Sequence, residues 1–372
     1  MTAVARLVLV GAGQMGRAWI QAIDRSAYAR LVGLVDLDRG VAEDALAQRG
    51  GQEPVMIGDD VVRTAHETGA EAIVNVTVPT AHLAVNLAAL DAGYPVLCEK
   101  PITPTVRDGL VLAASSEVTG RLLMTSQSRR YYAALHALRD SASKLGPIGV
   151  VRTEFLKAPH FGGFREDMEH PLLVDMAIHA FDVARYLLGA VPVAVDCRSY
   201  NPSWSWFRGD AAATALFEFA GGERFDYLGS WVASGLETSW NGIWRVGTAA
   251  GSATWDGEST VVVQQGDEVA VSTEVPRDRS ESIDGSLAEF VAAIGSGALP
   301  SGEIHDNLLT LAMVEAAVRS AETRQRVETA ALLDRAWQDA LAGPLRPDLR
   351  GALEGWSSAS VRLGLAQTNA GP

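Results

Sequence analysis

The sequence predicts two domains of different fold class: an α/β domain with a doubly wound parallel sheet, then an α+β domain with an open, mostly antiparallel sheet. In the first third of the chain, short β-type apolar runs alternate with patterns of helical spacing, which is typical of parallel strands joined by crossover helices. After residue 192 the runs are short and separated by glycine turns such as Gly221-Gly222, which predicts hairpins. We expect domains at residues 1–127 and 128–340 and a C-terminal extension at residues 341–372.

Composition and charge narrow the possible partners. The chain has 372 residues, more than one hydrophobic core usually supports. Its 31 Lys and Arg against 45 Asp and Glu give a formal charge of −14, which disfavours nucleic acid, because that partner requires basic side chains at its phosphates. The two cysteines, Cys98 and Cys197, lack metal-site spacing, so we expect no bound metal. We see neither a signal peptide nor an apolar run of ~18 residues, so we expect a cytoplasmic protein without membrane contact.

A glycine-rich loop follows the first predicted strand. Residues 7–10 form a β-type run, and a GxGxxG segment joins them to a helical pattern that extends through Ile23. Strand before and helix after are the context in which this motif predicts a Rossmann dinucleotide site. The first glycine permits the tight turn, the second lets the backbone approach a pyrophosphate, and the third lets helix and strand pack closely. The predicted cofactor contacts in this loop are Gly11, Gly13, Gln14, Met15 and Gly16.

An acidic residue ends the second predicted strand and indicates which dinucleotide binds. Asp36 lies twenty residues beyond Gly16, where a carboxylate can accept hydrogen bonds from the adenosine ribose hydroxyls and would repel a 2′-phosphate. The sequence therefore favours NAD. Arg39, three residues later, could pair with a phosphate, so NADP stays open as an alternative.

The tripeptide Glu99-Lys100-Pro101 ends the fifth predicted strand, which covers residues 94–97. In an open α/β sheet the carboxyl ends of the strands face the ligand, so Lys100 would point toward it. Pro101 restricts the backbone of the residue before it and so fixes the direction of the chain at this point. Taken alone, a surface Glu-Lys pair at a strand end is an equal alternative.

A helical pattern at residues 172–188 carries an aspartate and a histidine four residues apart. Asp175 and His179 would lie on one face, with Asp182 three residues further on the same side. A histidine with a pKa near neutrality can take a hydroxyl proton while hydride leaves the same carbon. A lone histidine on an apolar helix is more often structural, but the Asp-xxx-His pair together with Lys100 favours a catalytic role.

These segments together resemble the glucose-fructose oxidoreductase and inositol dehydrogenase family, also called Gfo/Idh/MocA. The glycine loop is shared by many dehydrogenases, whereas the segment at residues 92–101, which ends in Glu-Lys-Pro, is far more specific. The Asp-xxx-His spacing strengthens the resemblance, which extends over roughly residues 5–330. It implies an NAD(P)-binding Rossmann domain and a second-domain sheet that forms the interface of a homodimer or homotetramer.

The resemblance also implies roles for individual residues. Lys100 would bind and polarise the reacting oxygen, His179 would be the general acid/base, and Asp175 would orient it or contact a neighbouring hydroxyl. The implied cofactor contacts outside the glycine loop and Asp36 are Thr77, Val78, Pro79, His82, Glu99 and Lys100, with Glu99 near the nicotinamide ribose.

Further substrate candidates lie at the start of the second domain and before the Asp-xxx-His helix. Arg129, Arg130 or Tyr131 could touch substrate, although an exposed arginine at a helix start is an equal alternative. His160 is another candidate. His170 stands near the position where the family commonly has a glycine pair, so it could occupy substrate space, which leaves the sugar type open.

The second domain is rich in tryptophan. Sheet packing is the first explanation, because strands favour aromatic residues; stacking on sugar C–H surfaces and a subunit contact are the alternatives. Five of the nine tryptophans lie in a window of about forty residues: Trp204, Trp206, Trp231, Trp240 and Trp244.

The residues and the resemblance predict an NAD(H)-dependent oxidoreductase that interconverts a secondary alcohol and a ketone on a sugar or cyclic polyol. An aldose C1 dehydrogenase and an NADP-linked keto-sugar reductase would use the same residues. A cofactor-bound, sugar-sensing regulatory protein is the non-enzyme alternative, since fold alone does not fix function. Such a protein would be expected to lose Lys100 or His179, and this chain keeps both.

Overall fold

The computed structural model describes residues 4–49, 53–272, 275 and 280–365. The end of the predicted C-terminal extension, residues 366–372, lies outside the described residues. The chain forms two compact units. The first comprises residues 1–128, 280–308 and 336–356, and the second comprises residues 129–279, 309–335 and 357–372. Within the described ranges, no helix combines the length and apolar character needed to cross a lipid bilayer.

Strands and helices alternate strictly through residue 126, as the apolar pattern predicts. The elements in chain order are β1 (Ala5–Val10), α1 (Gln14–Arg25), β2 (Ala29–Val35), α2 (Arg39–Ala47), β3 (Met56–Gly58), α3 (Val61–Thr68), β4 (Ala72–Asn75), α4 (Pro79–Asp91), β5 (Val96–Glu99), α5 (Val106–Thr119) and β6 (Leu123–Ser126).

These six strands form one parallel sheet in the order β3-β2-β1-β4-β5-β6. The strands β1, β4, β5 and β6 are almost fully buried, which explains why each reads as a continuous apolar run. The order reverses between β1 and β4, and Val10 at the end of β1 lies beside Asn75 at the end of β4. Because ligands of doubly wound sheets bind where the strand order reverses, the carboxyl edge here is the expected cofactor position. The predicted doubly wound sheet is confirmed.

Shorter strands and further helices make up the rest of the chain. In chain order they are α6 (Ala133–Lys144), β7 (Ile148–Leu156), α7 (Phe164–Asp167), α8 (Ile178–Leu188), β8 (Pro192–Tyr200), β9 (Ala212–Phe219), β10 (Arg224–Ser230), β11 (Ile243–Thr248), β12 (Ser252–Trp255), β13 (Val261–Gln265), β14 (Glu268–Ser272), α9 (Ser282–Ser296), α10 (Ile304–Thr323), β15 (Val327–Glu328), α11 (Thr329–Ala342), α12 (Pro347–Glu354) and α13 (Ala359–Arg362).

The second unit is built on a nine-stranded sheet in the order β14-β13-β12-β11-β7-β10-β9-β8-β15. Its neighbouring strands are antiparallel except β7 and β10, which are parallel, so the predicted, mostly antiparallel sheet is confirmed. The inner face is aromatic: Phe181 of α8 packs 4.7 Å from Phe217 and 5.3 Å from Tyr227, measured between ring centroids. The two-residue strand β15 is too short to give a periodic signal in the sequence.

The helix that carries Asp175 and His179 begins differently from the expected continuous α-helix. Leu172–Ala177 is a π-helical turn, and α8 starts at Ile178. A π turn has i→i+5 hydrogen bonds and is wider than an α turn, and such turns occur often at functional sites. Asp175 therefore lies in the π turn, whereas His179 lies in the first turn of α8.

A buried ion pair fixes the start of the second unit to α8. The Arg130 guanidinium donates to both carboxylate oxygens of Asp182 at 2.7 Å, and the Thr310 hydroxyl donates to Asp182 at 2.9 Å. The side chains of Arg130 and Asp182 are 7% and 0% exposed. Removing one partner of such a pair leaves an uncompensated buried charge, which is strongly destabilising. These bonds give Asp182 a structural role.

The C-terminal extension, expected to be a helix-bearing arm or a loose tail, contains α12 and α13. Helix α12 packs on α5 of the first unit. Next to it, the His305 ring lies between two carboxylates: Nδ1 is 2.7 Å from Glu303 and Nε2 is 2.9 Å from Glu117. The Trp356 indole, directly after α12, donates to the second oxygen of Glu117 at 3.0 Å. This cluster ties the extension to α5.

We predict that the His305 cluster makes stability depend on pH. Burial disfavours the charged imidazolium, but Glu303 and Glu117 outweigh burial and raise the pKa of His305 above its ordinary value of 6.5. The ion pairs therefore stabilise the fold fully below pH 6.5 and are lost as the pH rises through the raised folded-state pKa. His305→Gln should cost about 1–3 kcal/mol at low pH, and the difference from wild type should shrink at higher pH.

The measurement is the free energy of urea unfolding of wild type and His305→Gln, from below pH 6.5 to above the raised pKa of His305. His66→Gln, which changes an exposed histidine in α3, is the matched control and should keep a constant difference from wild type. A pH-independent cost of His305→Gln would contradict the raised pKa, because it would mean that the ring titrates alike in the folded and unfolded protein.

Candidate functional site

The three glycines of the loop in the first unit differ in their surroundings: Gly11 and Gly16 are tightly packed, whereas Gly13 is open. Gly11 has φ +103°, and a Cβ there would lie 2.9 Å from the Val76 carbonyl oxygen. A Cβ at Gly16 would lie 2.2 Å from the Gly11 carbonyl oxygen. Gly13 is exposed, and a Cβ there would meet nothing within 4 Å. The space at Gly13 fits a pyrophosphate that approaches the backbone at the start of α1, where Gln14 and Met15 are exposed.

The Asp36 side chain is hydrogen-bonded to the glycine loop. One carboxylate oxygen accepts from the Ala12 amide at 2.7 Å and the other accepts from the Asp38 amide at 2.9 Å. A carboxylate has about four acceptor positions, so two remain for ribose hydroxyls. Arg39 forms an ion pair with Glu43 at 2.8 Å, one helical turn further along α2. This pairing weakens the case for Arg39 as a phosphate ligand.

The predicted contacts after β4 divide into exposed and buried residues. Val78 is 56% exposed and precedes α4, which begins at Pro79. The Thr77 amide and hydroxyl both donate to the Asn75 side chain, at 3.2 and 2.8 Å. His82 is fully buried, and its ring nitrogens lie 2.8 Å from the Pro101 carbonyl oxygen and 3.1 Å from the Thr77 carbonyl oxygen. Burial lowers the pKa of His82, so the neutral ring carries one N–H and donates to one of these two carbonyl oxygens.

Glu99 is buried at the end of β5, with 8% of its surface exposed. Its carboxylate accepts from the Trp19 indole at 3.0 Å and from the Lys100 amide at 3.1 Å. The Lys100 side chain is partly buried, and the Lys100-Pro101 peptide bond is cis. Through Glu99, Trp19 links α1 to the backbone of Lys100. The sequence analysis did not predict the hydrogen bond between Trp19 and Glu99.

In the second unit, His179 lines a pocket between α8 and the inner face of the sheet. The polar lining includes Arg129 and Asn241, and the Arg129 guanidinium donates to the Asn241 side-chain oxygen. Asn241 is held in turn, because its amide donates to the Gly257 carbonyl at 2.7 Å. Burial lowers the pKa of Arg129, although an arginine stays charged at neutral pH. Aromatic residues of the lining include Phe155, Tyr227, Trp240, Trp244 and Trp255.

Asp175 has a partner that the sequence did not indicate. Arg165 Nε donates to Asp175 Oδ2 at 2.6 Å. Arg165 lies in α7, a four-residue helix after the glycine pair Gly162-Gly163, both of which have positive φ. In the sequence, Phe161 and Phe164 flank this glycine pair, and that pattern was the available signal for a functional loop.

The remaining substrate candidates have varied positions. Arg130 is committed to Asp182, as described above, and Tyr131 beside it is partly buried. His160 is exposed and stacks on Trp206, with ring centroids 3.9 Å apart. His170 lies 3.4 Å from the Ser199 hydroxyl and 3.5 Å from the Glu322 carboxylate.

The glycine loop at the carboxyl edge of a doubly wound parallel sheet is typical of a dinucleotide-binding domain. The chain belongs to the Gfo/Idh/MocA oxidoreductase family. The family's NAD-binding Rossmann fold matches residues 5–127, and its C-terminal alpha/beta domain matches residues 144–329. The protein is therefore an oxidoreductase with an NAD-binding domain.

Curated relatives of this family cover most of the chain. An inositol 2-dehydrogenase of Streptomyces avermitilis is 28% identical over 339 residues, which cover 88% of this chain and 95% of that protein. A 1,5-anhydro-D-fructose reductase of Ensifer adhaerens is 25% identical over 338 residues, covering 86% and 97%.

A similar solved structure is an oxidoreductase from Agrobacterium radiobacter in complex with NAD+, L-tartaric acid and magnesium. It has a TM-score of 0.80 and 20% identity, and the match covers 88% of this chain and 99% of that one. At this identity the structural similarity supports the fold.

We predict that Gly13→Ala weakens NAD binding, whereas Gly16→Ala lowers the stability of the fold. The new methyl group at Gly13 enters open space at an ordinary φ of −67°, so stability should be unchanged while the Kd for NAD rises about tenfold or more. At Gly16 the methyl group collides with the Gly11 carbonyl, so Gly16→Ala should lower the unfolding temperature.

Thermal unfolding without cofactor and calorimetric titration with NAD measure the two effects. Unchanged NAD affinity in Gly13→Ala would show that the pyrophosphate does not lie against Gly13.

Proposed function

We propose that this protein interconverts a secondary alcohol and a ketone on a sugar or cyclic polyol, with NAD as the hydride carrier. The observation that carries the proposal is the placement of Asp175 and His179 four residues apart at the start of α8, with Arg129 and Asn241 near His179, in a chain of this oxidoreductase family. The names of the relatives agree with this chemistry: inositol 2-dehydrogenase and 1,5-anhydro-D-fructose reductase.

In the oxidative direction the hydroxyl oxygen of the substrate loses a proton and its carbon loses a hydride. Bound NAD supplies the acceptor for the hydride. His179 takes the hydroxyl proton on an imidazole nitrogen, and it returns a proton to the oxygen in the reductive direction. The Lys100 ammonium donates a hydrogen bond to the same oxygen and stabilises the negative charge that develops on it.

Asp175 and Arg129 position the substrate in this proposal. Arg165 holds the Asp175 carboxylate, and in this proposal that carboxylate accepts a hydrogen bond from a hydroxyl next to the reacting carbon. Arg129, fixed by Asn241, can donate to a further ring hydroxyl. Tyr131 and His160 stay candidates for contacts at the edge of the substrate.

Two related reactions remain as alternatives within the same class. An aldose C1 dehydrogenase would differ only in the carbon oxidised, and a keto-sugar reductase would work in the opposite direction. The 1,5-anhydro-D-fructose reductase relative favours keeping the reductive alternative. The ion pair between Arg39 and Glu43 favours NAD over NADP for either.

We also propose a cytoplasmic homodimer or homotetramer that associates through the outer face of the nine-stranded sheet. Large apolar side chains on that face are exposed: Leu216 is 43% exposed, Leu228 39% and Ile243 48%. An open sheet face with such residues is suited to pairing with a second copy.

The direct test is absorbance of reduced nicotinamide with NAD, and separately with NADP, against inositols, aldoses, 1,5-anhydro sugars and methyl glycosides. A rise with one compound identifies cofactor and substrate together, and analysis of the product identifies the oxidised carbon. No oxidation of any compound, and no reduction of the matching ketones with NADH, would contradict the proposal.

We predict that Lys100→Ala and His179→Ala each lower kcat by about 10²–10⁴-fold, because each removes a group that acts on the reacting oxygen. NAD affinity, measured by calorimetry, should stay close to wild type in His179→Ala. The exposed Lys144 and His66 provide matched controls, since Lys144→Ala and His66→Ala should keep full turnover. Near-normal kcat in Lys100→Ala or His179→Ala would rule out the assigned role.

A further inference from the structure

Trp19 lies in the middle of α1 and is completely buried. A buried indole N–H usually finds a hydrogen-bond partner, and the partner here comes from a distant part of the chain. The indole donates to Glu99 Oε1 at 3.0 Å, across a sequence separation of 80 residues. Trp19 is therefore a packing residue that also has a polar contact with the residue directly before Lys100.

The Glu99 carboxylate is hydrogen-bonded at both of its oxygens. Oε1 accepts from the Trp19 indole at 3.0 Å, and Oε2 accepts from the Lys100 amide at 3.1 Å. The last torsion angle of a glutamate side chain is soft, so a carboxylate held at one oxygen can rotate. The bond to Trp19 opposes that rotation and keeps Oε2 at the Lys100 amide.

The backbone after Lys100 is restrained as well. The Pro101 carbonyl oxygen lies 2.8 Å from a ring nitrogen of His82, which is fully buried. A lysine side chain is a flexible four-carbon stem, so the region that its ammonium can reach depends on where the backbone holds its Cα. The contacts of Glu99 and Pro101 fix that backbone on both sides of the lysine.

Helix α1 is a firmly attached support for the indole. In its last turn, the Asp24 carboxylate accepts from the Arg49 guanidinium at 2.8 and 2.6 Å, and the Arg49 side chain is 9% exposed. In its first turn, Gly16 packs so closely on the Gly11 carbonyl that a Cβ would not fit. A bidentate ion pair adds geometric specificity, so α1 presents the Trp19 indole in one position.

We propose that Trp19 is a positioning residue for Lys100. Through Glu99, the buried indole holds the Lys100 backbone where the ammonium can donate to the reacting oxygen. This inference rests on the proposed function, since it needs Lys100 at that oxygen. It adds that α1, which begins at the glycine loop, contributes to turnover as well as to NAD binding.

The variant that tests the inference is Trp19→Phe, which keeps an aromatic ring in the core and removes the indole N–H. We expect kcat to fall about 10–100-fold, because a small misplacement of a reacting group has an effect of this size. The substrate KM and the calorimetric Kd for NAD should stay within about threefold of wild type.

Trp337→Phe is the matched control. The Trp337 indole donates to the Leu353 carbonyl at 3.0 Å within the same unit, so this variant also loses one indole hydrogen bond. It should keep full kcat. Thermal unfolding of both variants shows whether each one is folded and how much stability each has lost.

A double-mutant cycle with Lys100→Ala shows whether Trp19 acts through the lysine. If it does, Trp19→Phe should change kcat by less than about twofold in the Lys100→Ala background, because residues that act as a unit are not additive. The same loss in both backgrounds would overturn the inference, as would full kcat in Trp19→Phe. If Trp19→Phe does not fold, Glu99→Gln takes its place in the cycle, because it removes the charge that accepts both N–H groups and leaves Trp19 intact.

Chemical labelling tests the positioning of Lys100 without turnover and so separates this inference from the proposed function. Reductive methylation with formaldehyde and cyanoborohydride, in the presence of NAD, is followed at each lysine by mass spectrometry. Lys100 should react about threefold or more faster in Trp19→Phe than in wild type, because its backbone is less restrained, and the exposed Lys144 should react equally in both. If no compound is turned over, the proposed reaction fails, and the labelling still decides: faster labelling of Lys100 supports its positioning by Trp19, and equal labelling overturns it.

Discussion

A buried carboxylate at the end of β5 is the constraint on which the cofactor edge depends. Glu99 is 8% exposed, and a buried carboxylate is tolerated only when its oxygens are hydrogen-bonded. The Trp19 indole and the Lys100 amide supply those bonds. Because Trp19 belongs to α1 and Lys100 follows β5, one carboxylate fixes the helix after the glycine loop and the backbone of the lysine together. The buried His82 ring lies between the adjacent loops, and its single N–H donates to one of the carbonyl oxygens of Thr77 and Pro101.

In the second unit, a buried ion pair fixes the position of α8. Asp182 in α8 is fully buried and held by Arg130 and Thr310, so the helix that presents His179 cannot slide along the sheet without breaking a buried ion pair. The side chains that face the pocket are then oriented by weaker and more exposed contacts, such as Arg165 on Asp175.

In the proposed reaction, the first unit holds the cofactor and the second unit selects the substrate. The glycine loop, Asp36 and Glu99 belong to the NAD-binding domain, whereas Asp175, His179 and the segment around Gly162-Gly163 belong to the second unit. Function on a common fold lies in such local sites. Relatives at 25–28% identity with names as different as inositol 2-dehydrogenase and 1,5-anhydro-D-fructose reductase agree with this division.

The sequence by itself determined the alternation of β1 through β6, the glycine loop and the acid at Asp36, because periodicity and turn chemistry are local signals. It also indicated the separation of Asp175 and His179, but it suggested a regular α-helix where the structure has a π turn. Tertiary structure alone decided which aromatic residues are exposed. Trp244 and Trp240 are four residues apart, yet Trp244 is 1% exposed and Trp240 is 42% exposed. Burial depends on which strands and loops meet from distant parts of the chain, and no local pattern encodes that pairing.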